Sequence, residues 1–342
     1  MSAKPRIVLT HRVFEETLQL LEPVGTIVPN PTGKTLPREI ILQQIGEADA
    51  VMAFMPDLVD AEFLNAAPNL KIVAGALKGC DNFDIHACTA RGVWATIVPD
   101  LLTVPTAELA IGLAIALSRH VRAGDLRVRS GDFSGWRPDL YGTGFAGSII
   151  GIVGMGRIGR ALAQRLRAFD ATLIYTDTQR PAPSEDLKTG TEYVNFETLL
   201  SASDFVFLAV PLTEATRHLI DGRTLARMKR TAFLINPCRG SVVDEEAVAD
   251  ALSTNGLAGY AADVFAFEDW ALPERPREIP FRLRAQENRV IFTPHLGSAV
   301  VGIRKEIERS AAESIAAALR GEVPPGAVNA LAVSPAAIAE VP

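Results

Sequence analysis

The chain has 342 residues, 48% hydrophobic and 22% charged, which is long enough for two domains with separate cores. Its formal net charge is −6 and no basic run stands out, so we expect neither a nucleic-acid nor a membrane partner. The three cysteines form no CxxC pair and no segment reaches the roughly 20 apolar residues of a membrane span, so no metal site is predicted and we expect a soluble cytoplasmic protein.

The first hundred residues predict a small α/β unit. Short β-rich runs alternate with helical patterns, which is typical of a parallel sheet flanked by helices. Strands are predicted at 6–10, 24–28, 50–53, 70–74 and 94–97, with a helix over 13–21. This doubly wound unit is flavodoxin-like in size. Pro99 and Pro105 then interrupt the chain, and the pattern over 106–129 predicts one long helix that connects two domains.

The second unit begins near Ser148 and predicts a complete Rossmann fold. Six strands are expected at 149–153, 172–177, 205–210, 232–236, 259–263 and 290–293. One further helix, 302–320, is too short to be a domain and is expected to pack on the first unit. We therefore predict a discontinuous substrate domain (1–102 and 299–331), a dinucleotide-binding domain (103–298), a cleft between them, and a loose tail (332–342).

A glycine-rich loop follows the first strand of the second unit and opens a helix. Its sequence is Gly154-Met155-Gly156-Arg157-Ile158-Gly159. The glycines permit a tight turn, a close approach to a pyrophosphate and close packing of helix on strand, and the helix N-terminus attracts phosphates. Asp177 ends the next strand, where its carboxylate can bind both ribose hydroxyls of NAD and repel a 2′-phosphate. Arg180 lies close enough in sequence to weaken this preference for NAD over NADP. The alternative to a cofactor site is that the glycines only permit turns.

Three later strands are followed by residues that suit proton transfer on a small anion. Arg239, Glu268 and His295 come after the strands predicted at 232–236, 259–263 and 290–293. Ligands gather outside the carboxyl ends of parallel strands. Arginine binds oxyanions, histidine accepts a proton near neutral pH, and a glutamate can orient the imidazole. His11 also follows a strand, but we expect a structural role because no acid of its own unit is evident nearby.

These motifs resemble the D-2-hydroxyacid dehydrogenase family over nearly the whole chain. The matching segments are 154–159, 236–240, 262–268 and 293–298. The resemblance implies that His295, Arg239 and Glu268 are catalytic, that NAD is the cofactor, and that the protein is a homodimer through the cofactor domain and the long helix. We also expect cofactor contacts from Pro211, Pro237, Cys238, Arg239, Asp263 and His295, although Asp263 could instead only support its loop.

Within that family, the chain most resembles the phosphite dehydrogenase branch. Lys78 stands where the family usually has a small residue, and the segments 52–57, 87–94, 99–108, 136–144 and 268–270 are also similar. The chain departs from this branch at Ala266, where the branch commonly has an acid, and at Thr178 and Gln179. The resemblance implies oxidation of phosphite by NAD, with His295 as base for the attacking water. The substrate-binding residues expected on this basis are Lys78, Gly79, Arg239, Met55, Tyr141, Trp136, Trp270 and Ser298.

Two alternatives remain open. The chain could be an ordinary D-2-hydroxyacid dehydrogenase that acts on a small 2-oxoacid, in which case Lys78 is an ordinary loop residue. It could also be a corepressor-like binding protein that uses NAD(H) as a conformational ligand. Met55, Trp136, Tyr141 and Trp270 could equally be core or interface residues, and Cys238 is expected to be a packed side chain because the chemistry needs no thiolate.

Overall fold

The computed structural model describes residues 4–180 and 188–331, which form two compact units. Within those ranges, the first unit comprises residues up to Leu101, Trp270–Pro273, and residues from Val300 onward. The second comprises Leu102–Asp269 and Glu274–Ala299. Trp270–Pro273 therefore groups with the first unit, whereas the sequence pattern assigned this segment to the second. The predicted loose tail, 332–342, lies outside the described residues.

The first unit is built on a five-stranded parallel sheet of order β2-β1-β3-β4-β5. The strands are β1 Arg6–Leu9, β2 Thr26–Val28, β3 Ala50–Ala53, β4 Ile72–Gly75 and β5 Trp94–Thr96. Strands β3 and β4 are buried throughout, as expected where helices cover both faces of a parallel sheet. The helices of this unit are Glu15–Leu21, Arg38–Gln44, Ala61–Ala66, Ile85–Ala90 and Val301–Leu319.

The C-terminal helix, Val301–Leu319, packs on this first unit although it is remote in sequence. Its Glu308 is buried and accepts hydrogen bonds from the Phe14 backbone N–H and the Thr17 hydroxyl, both at 2.9 Å. Burial raises the pKa of Glu308, while these two hydrogen bonds act in the opposite direction. The interaction ties the C-terminal helix to the start of helix Glu15–Leu21.

The second unit contains a seven-stranded parallel sheet of order β12-β11-β10-β9-β6-β7-β8. Its strands are β6 Ile149–Val153, β7 Thr172–Thr176, β8 Thr191–Tyr193, β9 Phe205–Leu208, β10 Phe233–Asn236, β11 Gly259–Ala262 and β12 Val290–Phe292. Its α-helices are Thr103–Ser118, Val121–Arg129, Arg157–Leu166, Phe196–Ala202, Gly222–Leu225, Glu245–Ser253 and Phe281–Arg284. The predicted fold class, two doubly wound parallel α/β domains of which one is Rossmann-like, is confirmed.

Strand β8 was missed by the sequence pattern, which predicted six strands in this unit. The strand has only three residues, and it pairs with β7 at the sheet edge with Leu173 opposite Thr191. A run this short with alternating exposure has no distinctive hydrophobic signal. Its strand state results from pairing with β7, which is a long-range interaction.

The predicted single helix over 106–129 is wrong, because the structure contains two helices there. They are Thr103–Ser118 and Val121–Arg129, and His120 between them has a left-handed φ of 54°. The end of the first helix is covered by a later segment: the Thr143 N–H donates to the Ser118 carbonyl at 3.0 Å. Pro105 lies in the first turn of the helix, where its missing N–H costs no helical hydrogen bond.

Candidate active site

The glycine loop has the geometry that a dinucleotide pyrophosphate requires. Gly154 adopts a φ of 97°, and a Cβ there would lie 2.5 Å from the Ala209 carbonyl. A Cβ on Gly159 would lie 2.0 Å from the Gly154 carbonyl, so this position brings the helix close to the strand. Gly156 is different, because a Cβ there would meet no atom within 4 Å. The backbone at Gly156 is therefore open to a ligand at the N-terminus of helix Arg157–Leu166.

Asp177 follows β7 and organises the same loop. Its Oδ2 accepts a hydrogen bond from the Met155 N–H at 2.6 Å, and its Oδ1 accepts from the Gln179 N–H at 3.0 Å. The carboxylate thus lies beside the glycine loop, where the sequence placed the ribose-binding acid. The guanidinium of Arg180 lies 5.1 Å from the centre of the Tyr193 ring, in a cation–π contact.

Asn236, which sequence reasoning did not single out, shapes the turn that carries Arg239. Its amide nitrogen donates to the Arg239 carbonyl at 2.9 Å, and its amide oxygen accepts from the Cys238 N–H at 3.1 Å. The Arg239 guanidinium is half-buried and donates to the Cys238 carbonyl at 2.8 Å. Burial raises the pKa of Cys238 to about 11, so this thiol stays protonated at neutral pH. The sequence signals for Asn236 were its place at the end of a strand and at the start of the matching segment 236–240.

Asp263 fixes the loop that presents His295. Its carboxylate accepts three hydrogen bonds: from the Thr293 hydroxyl at 2.6 Å, from Leu296 N–H at 2.7 Å and from Gly297 N–H at 2.8 Å. The His295 backbone adopts a left-handed φ of 56° and its N–H donates to the Asp263 carbonyl at 2.9 Å. Burial raises the pKa of Asp263, and these hydrogen bonds oppose that change. Asp263 therefore anchors the loop, whether or not it also contacts a cofactor.

His295 and Glu268 form a hydrogen-bonded pair. The His295 Nδ1 lies 2.9 Å from Glu268 Oε2, and Glu268 Oε1 accepts from the Phe265 N–H at 2.9 Å. The carboxylate is thus fixed at both oxygens and holds the imidazole in one orientation. Because a carboxylate on Nδ1 favours a proton there, the other ring nitrogen, Nε2, is left to accept or donate the proton that reacts.

Arg239, Glu268 and His295 follow β10, β11 and β12, which are neighbours in the sheet. Leu234 pairs with Tyr260, and Tyr260 pairs with Val290, both in parallel register, so the three carboxyl ends share one edge. The structure therefore brings a cation and an oriented imidazole to the same edge of the second unit. Pro211 also follows a strand of this sheet, β9, and is exposed, whereas Pro237 is buried.

In the first unit, Met55, Lys78 and Gly79 follow adjacent strands. Met55 comes two residues after β3 and is half-buried, as are Lys78 and Gly79 after β4. The Lys78 ammonium donates to the Val98 carbonyl at 3.3 Å, which orients the side chain. The carboxyl edge of this sheet thus holds one cationic side chain in a defined position.

The remaining predicted substrate residues differ in their environment. Trp136 is 80% exposed and Tyr141 is 73% exposed in the single chain, so their predicted contact with substrate requires further enclosure. Trp270 is half-buried and Ser298 is buried. The roles of these four side chains stay predictions.

The prediction that His11 has no acid of its own unit nearby is wrong. His11 Nδ1 lies 3.9 Å from Asp57 Oδ2, which also accepts a hydrogen bond from the Thr10 hydroxyl at 2.5 Å. Burial lowers the pKa of His11 and raises that of Asp57. The pair was not evident because Asp57 follows a different strand, β3, so that only the sheet order brings it beside β1.

Two further observations concern membrane-spanning helices and metal-binding clusters. Within residues 4–180 and 188–331, no helix is long and apolar enough to cross a membrane. Across the same ranges, no three His, Cys, Asp or Glu side chains are grouped so as to hold a metal ion.

Comparison with known proteins identifies the family. Residues 111–297 match the family described as "D-isomer specific 2-hydroxyacid dehydrogenase, NAD binding domain". Glyoxylate reductase from Thermococcus litoralis is 40% identical over 332 residues, which covers 95% of this chain and 97% of that protein. The solved structure of the TT0316 protein from Thermus thermophilus has a TM-score of 0.84 and 34% identity, and covers 95% of this chain and 100% of its own.

A glyoxylate reductase from Paecilomyes thermophila aligns with a TM-score of 0.79 and 27% identity, over 94% of this chain and 98% of its own. These likenesses extend over nearly the full length of the chain, and the open backbone at Gly156 fits the NAD that the matched domain binds. The chain therefore belongs to the D-isomer specific 2-hydroxyacid dehydrogenase family and is an NAD-dependent oxidoreductase.

Proposed function

We propose that this oxidoreductase converts phosphite to phosphate with NAD. The observation that carries the proposal is Lys78, a cationic side chain oriented by the Val98 carbonyl in the loop after β4. An ammonium has three N–H groups, and those not bound to Val98 can donate to an oxyanion. Phosphite is largely a dianion at neutral pH, so the additional positive charge of Lys78 suits it better than it suits the single carboxylate of a 2-oxoacid.

The proposed reaction uses the paired residues of the second unit. Arg239 binds phosphite oxygens through its planar guanidinium. His295 accepts a proton from the water that attacks phosphorus, and Glu268 holds the imidazole through the 2.9 Å contact at Nδ1. A P–O bond forms as the P–H bond breaks. The nicotinamide ring of bound NAD would supply the acceptor for the hydrogen that leaves phosphorus with its electron pair.

The cofactor contacts form part of the same proposal. The backbone from Gly154 to Gly159, which includes Met155, Arg157 and Ile158, would hold the pyrophosphate. The carboxylate of Asp177 would bind the ribose. Pro211, Pro237, Cys238, Asp263 and His295 would border the nicotinamide half, because each follows a strand at the carboxyl edge of the sheet.

Reduction of glyoxylate is the second candidate, and the names of the relatives favour it. Glyoxylate carries one carboxylate, which Arg239 alone could bind. His295 would then act in the opposite direction and donate its proton to the carbonyl oxygen. The two candidates share Arg239, Glu268 and His295 and differ in their need for Lys78.

A direct comparison of two assays decides between them. NADH formation from NAD and phosphite is measured with phosphate release, and NADH oxidation is measured with glyoxylate, pyruvate and hydroxypyruvate. We expect phosphite-dependent NADH formation that Lys78→Ala reduces about 100-fold or more in kcat/KM, while the exposed control Lys34→Ala leaves it unchanged. Turnover of glyoxylate without phosphite turnover would overturn the phosphite proposal. Binding of NADH without turnover of any substrate would favour the corepressor-like alternative.

We also propose that the protein is a homodimer that covers the helix Val121–Arg129 and the segment after it. Apolar side chains are exposed there in the single chain: Val121, Leu126, Val128, Phe133, Trp136 and Tyr141. Exposed apolar side chains concentrated in one segment of a chain are typical of an interface between proteins. Light scattering with size-exclusion chromatography should give twice the chain mass of 36.7 kDa. A monomer at micromolar concentration would overturn the homodimer and leave Trp136 and Tyr141 without enclosure.

A further inference from the structure

Glu245 is a buried carboxyl group to which neither the family resemblance nor the proposed reaction gives a role. It is the first residue of helix Glu245–Ser253 and is only 5% exposed. Its Oε1 accepts a hydrogen bond from the Ala266 N–H at 2.9 Å, across 21 residues of sequence. Its Oε2 is buried and has no hydrogen-bond partner among the described residues. Burying a carboxyl group is costly unless its contacts offset the cost, so the hydrogen bond to Ala266 is the feature to explain.

The contact with Ala266 leads directly to the catalytic pair. Ala266–Glu268 is a single 3₁₀ turn, and Ala266 is its first residue. The last residue of the turn is Glu268, which holds His295 Nδ1 at 2.9 Å. Only one residue, Phe267, separates the residue whose N–H Glu245 holds from the one whose carboxylate orients the imidazole. Any rotation of the turn would therefore move the Glu268 carboxylate away from His295.

The same turn is also the surface on which the Arg239 loop packs. A Cβ on Gly240 would lie 1.8 Å from the Phe265 carbonyl carbon and 2.0 Å from the Ala266 nitrogen. Gly240 thus lets the Arg239 loop pack closely against the backbone next to the Ala266 N–H. One residue further, the Ser241 N–H donates to Asp269 Oδ2 at 2.7 Å. The position of the turn is therefore linked to Arg239 as well as to Glu268.

We propose that Glu245 is a positioning residue of the active site, which holds the turn Ala266–Glu268 so that Glu268 orients His295 and the Arg239 loop keeps its place. It touches neither substrate nor cofactor. The inference rests on the proposed use of His295 in proton transfer but applies whether phosphite or glyoxylate is the substrate.

The surroundings of Glu245 explain why a glutamine side chain should be able to take over its role. Glu268 from the turn, Asp269 directly after it, Glu246 from its own helix and Tyr260 from β11 face this carboxyl group. Burial, together with the nearby carboxylates, raises the pKa of Glu245 to about 7. The oxygen that accepts from Ala266 is present in both protonation states and also in a glutamine side chain.

The test compares three variants with the same substrate. Glu245→Leu keeps an apolar side chain of similar size but offers no acceptor, so the turn loses its anchor. We expect kcat to fall about 10- to 100-fold, with little change in the dissociation constant for NADH, because the glycine loop is not involved. Glu245→Gln should retain kcat within about twofold, since it still accepts the Ala266 N–H. Glu246→Leu, at the exposed next position, is the control and should match the wild type.

A second readout does not depend on turnover. In the proton NMR spectrum of the cofactor-free protein, the Nδ1–H of His295 bound to Glu268 should give a downfield resonance that Glu268→Ala abolishes. We expect this resonance in Glu245→Gln and its loss or broadening in Glu245→Leu, with unfolding temperatures measured in parallel. A Glu245→Leu protein with wild-type kcat or an unchanged resonance would overturn the inference, as would loss of both in Glu245→Gln. If no substrate is turned over, the proposed function fails, but the resonance still tests the positioning of His295.

Discussion

Replacement of Glu268 by glutamine tests the catalytic pair most directly. The side chain is held at both oxygens, by the Phe265 N–H and by His295 Nδ1, each at 2.9 Å. In Glu268→Gln the amide oxygen must stay at the Phe265 N–H, because the opposite orientation would make two donors face each other. The amide NH₂ then faces His295 Nδ1, which must give up its proton. The imidazole is left with its proton on Nε2, the nitrogen that should act as base.

The magnitude follows from two contributions. Restoring the reactive tautomer leaves one N–H without an acceptor, at a cost of about 1–3 kcal/mol. The transition state also loses a charge-assisted hydrogen bond to the imidazolium, which contributes roughly 1.5–3 kcal/mol. The sum is about 4 kcal/mol, and at 1.36 kcal/mol for each factor of ten it predicts a fall in kcat of about 10³-fold.

The assay is the steady-state change in NADH absorbance with the substrate that the wild type turns over. Glu246→Gln provides the control, because it removes an exposed carboxylate from helix Glu245–Ser253 without touching His295. NADH binding should be unchanged in both variants. A Glu268→Gln protein that folds, binds NADH and keeps more than about a tenth of the wild-type kcat would refute the orientation argument.

Three other predictions follow from described contacts. Gly156→Val should weaken NADH binding at least about tenfold with little loss of stability, measured by fluorescence titration and thermal unfolding, because its side chain would project only into open space. Asp263→Asn should lower the unfolding free energy by about 2 kcal/mol, measured by urea denaturation, since an amide NH₂ would face the Gly297 N–H; an unchanged midpoint would contradict this. For Glu245, a raised folded-state pKa means that stability is lost as pH rises from the unfolded value of 4.5 toward about 7. The unfolding temperature of Glu245→Gln relative to wild type should therefore increase between pH 5 and pH 8, and a constant difference would exclude this linkage.

The local sequence pattern was sufficient to predict those features that depend only on residues close together in the chain. Alternating strands and helices identified both parallel sheets, and the strand–loop–helix context of Gly154–Gly159 indicated a candidate cofactor loop. The positions after β10, β11 and β12 indicated Arg239, Glu268 and His295 because parallel strands end at a common edge. Each of these features depends on residue spacing or on a property of glycine, so it can be inferred before any long-range contact is known.

Other features were decided by contacts between residues far apart in sequence. The helix is interrupted at His120, where the Thr143 N–H donates to the carbonyl of Ser118 at the end of the preceding helix. Strand β8 depends on its pairing with β7. His11 meets Asp57 because β1 and β3 are adjacent in the sheet. The sequence by itself determined the fold class and indicated a candidate cofactor loop and candidate catalytic residues. Only the tertiary structure decided that Glu245 holds the turn of Glu268, because no local periodicity encodes a hydrogen bond across 21 residues.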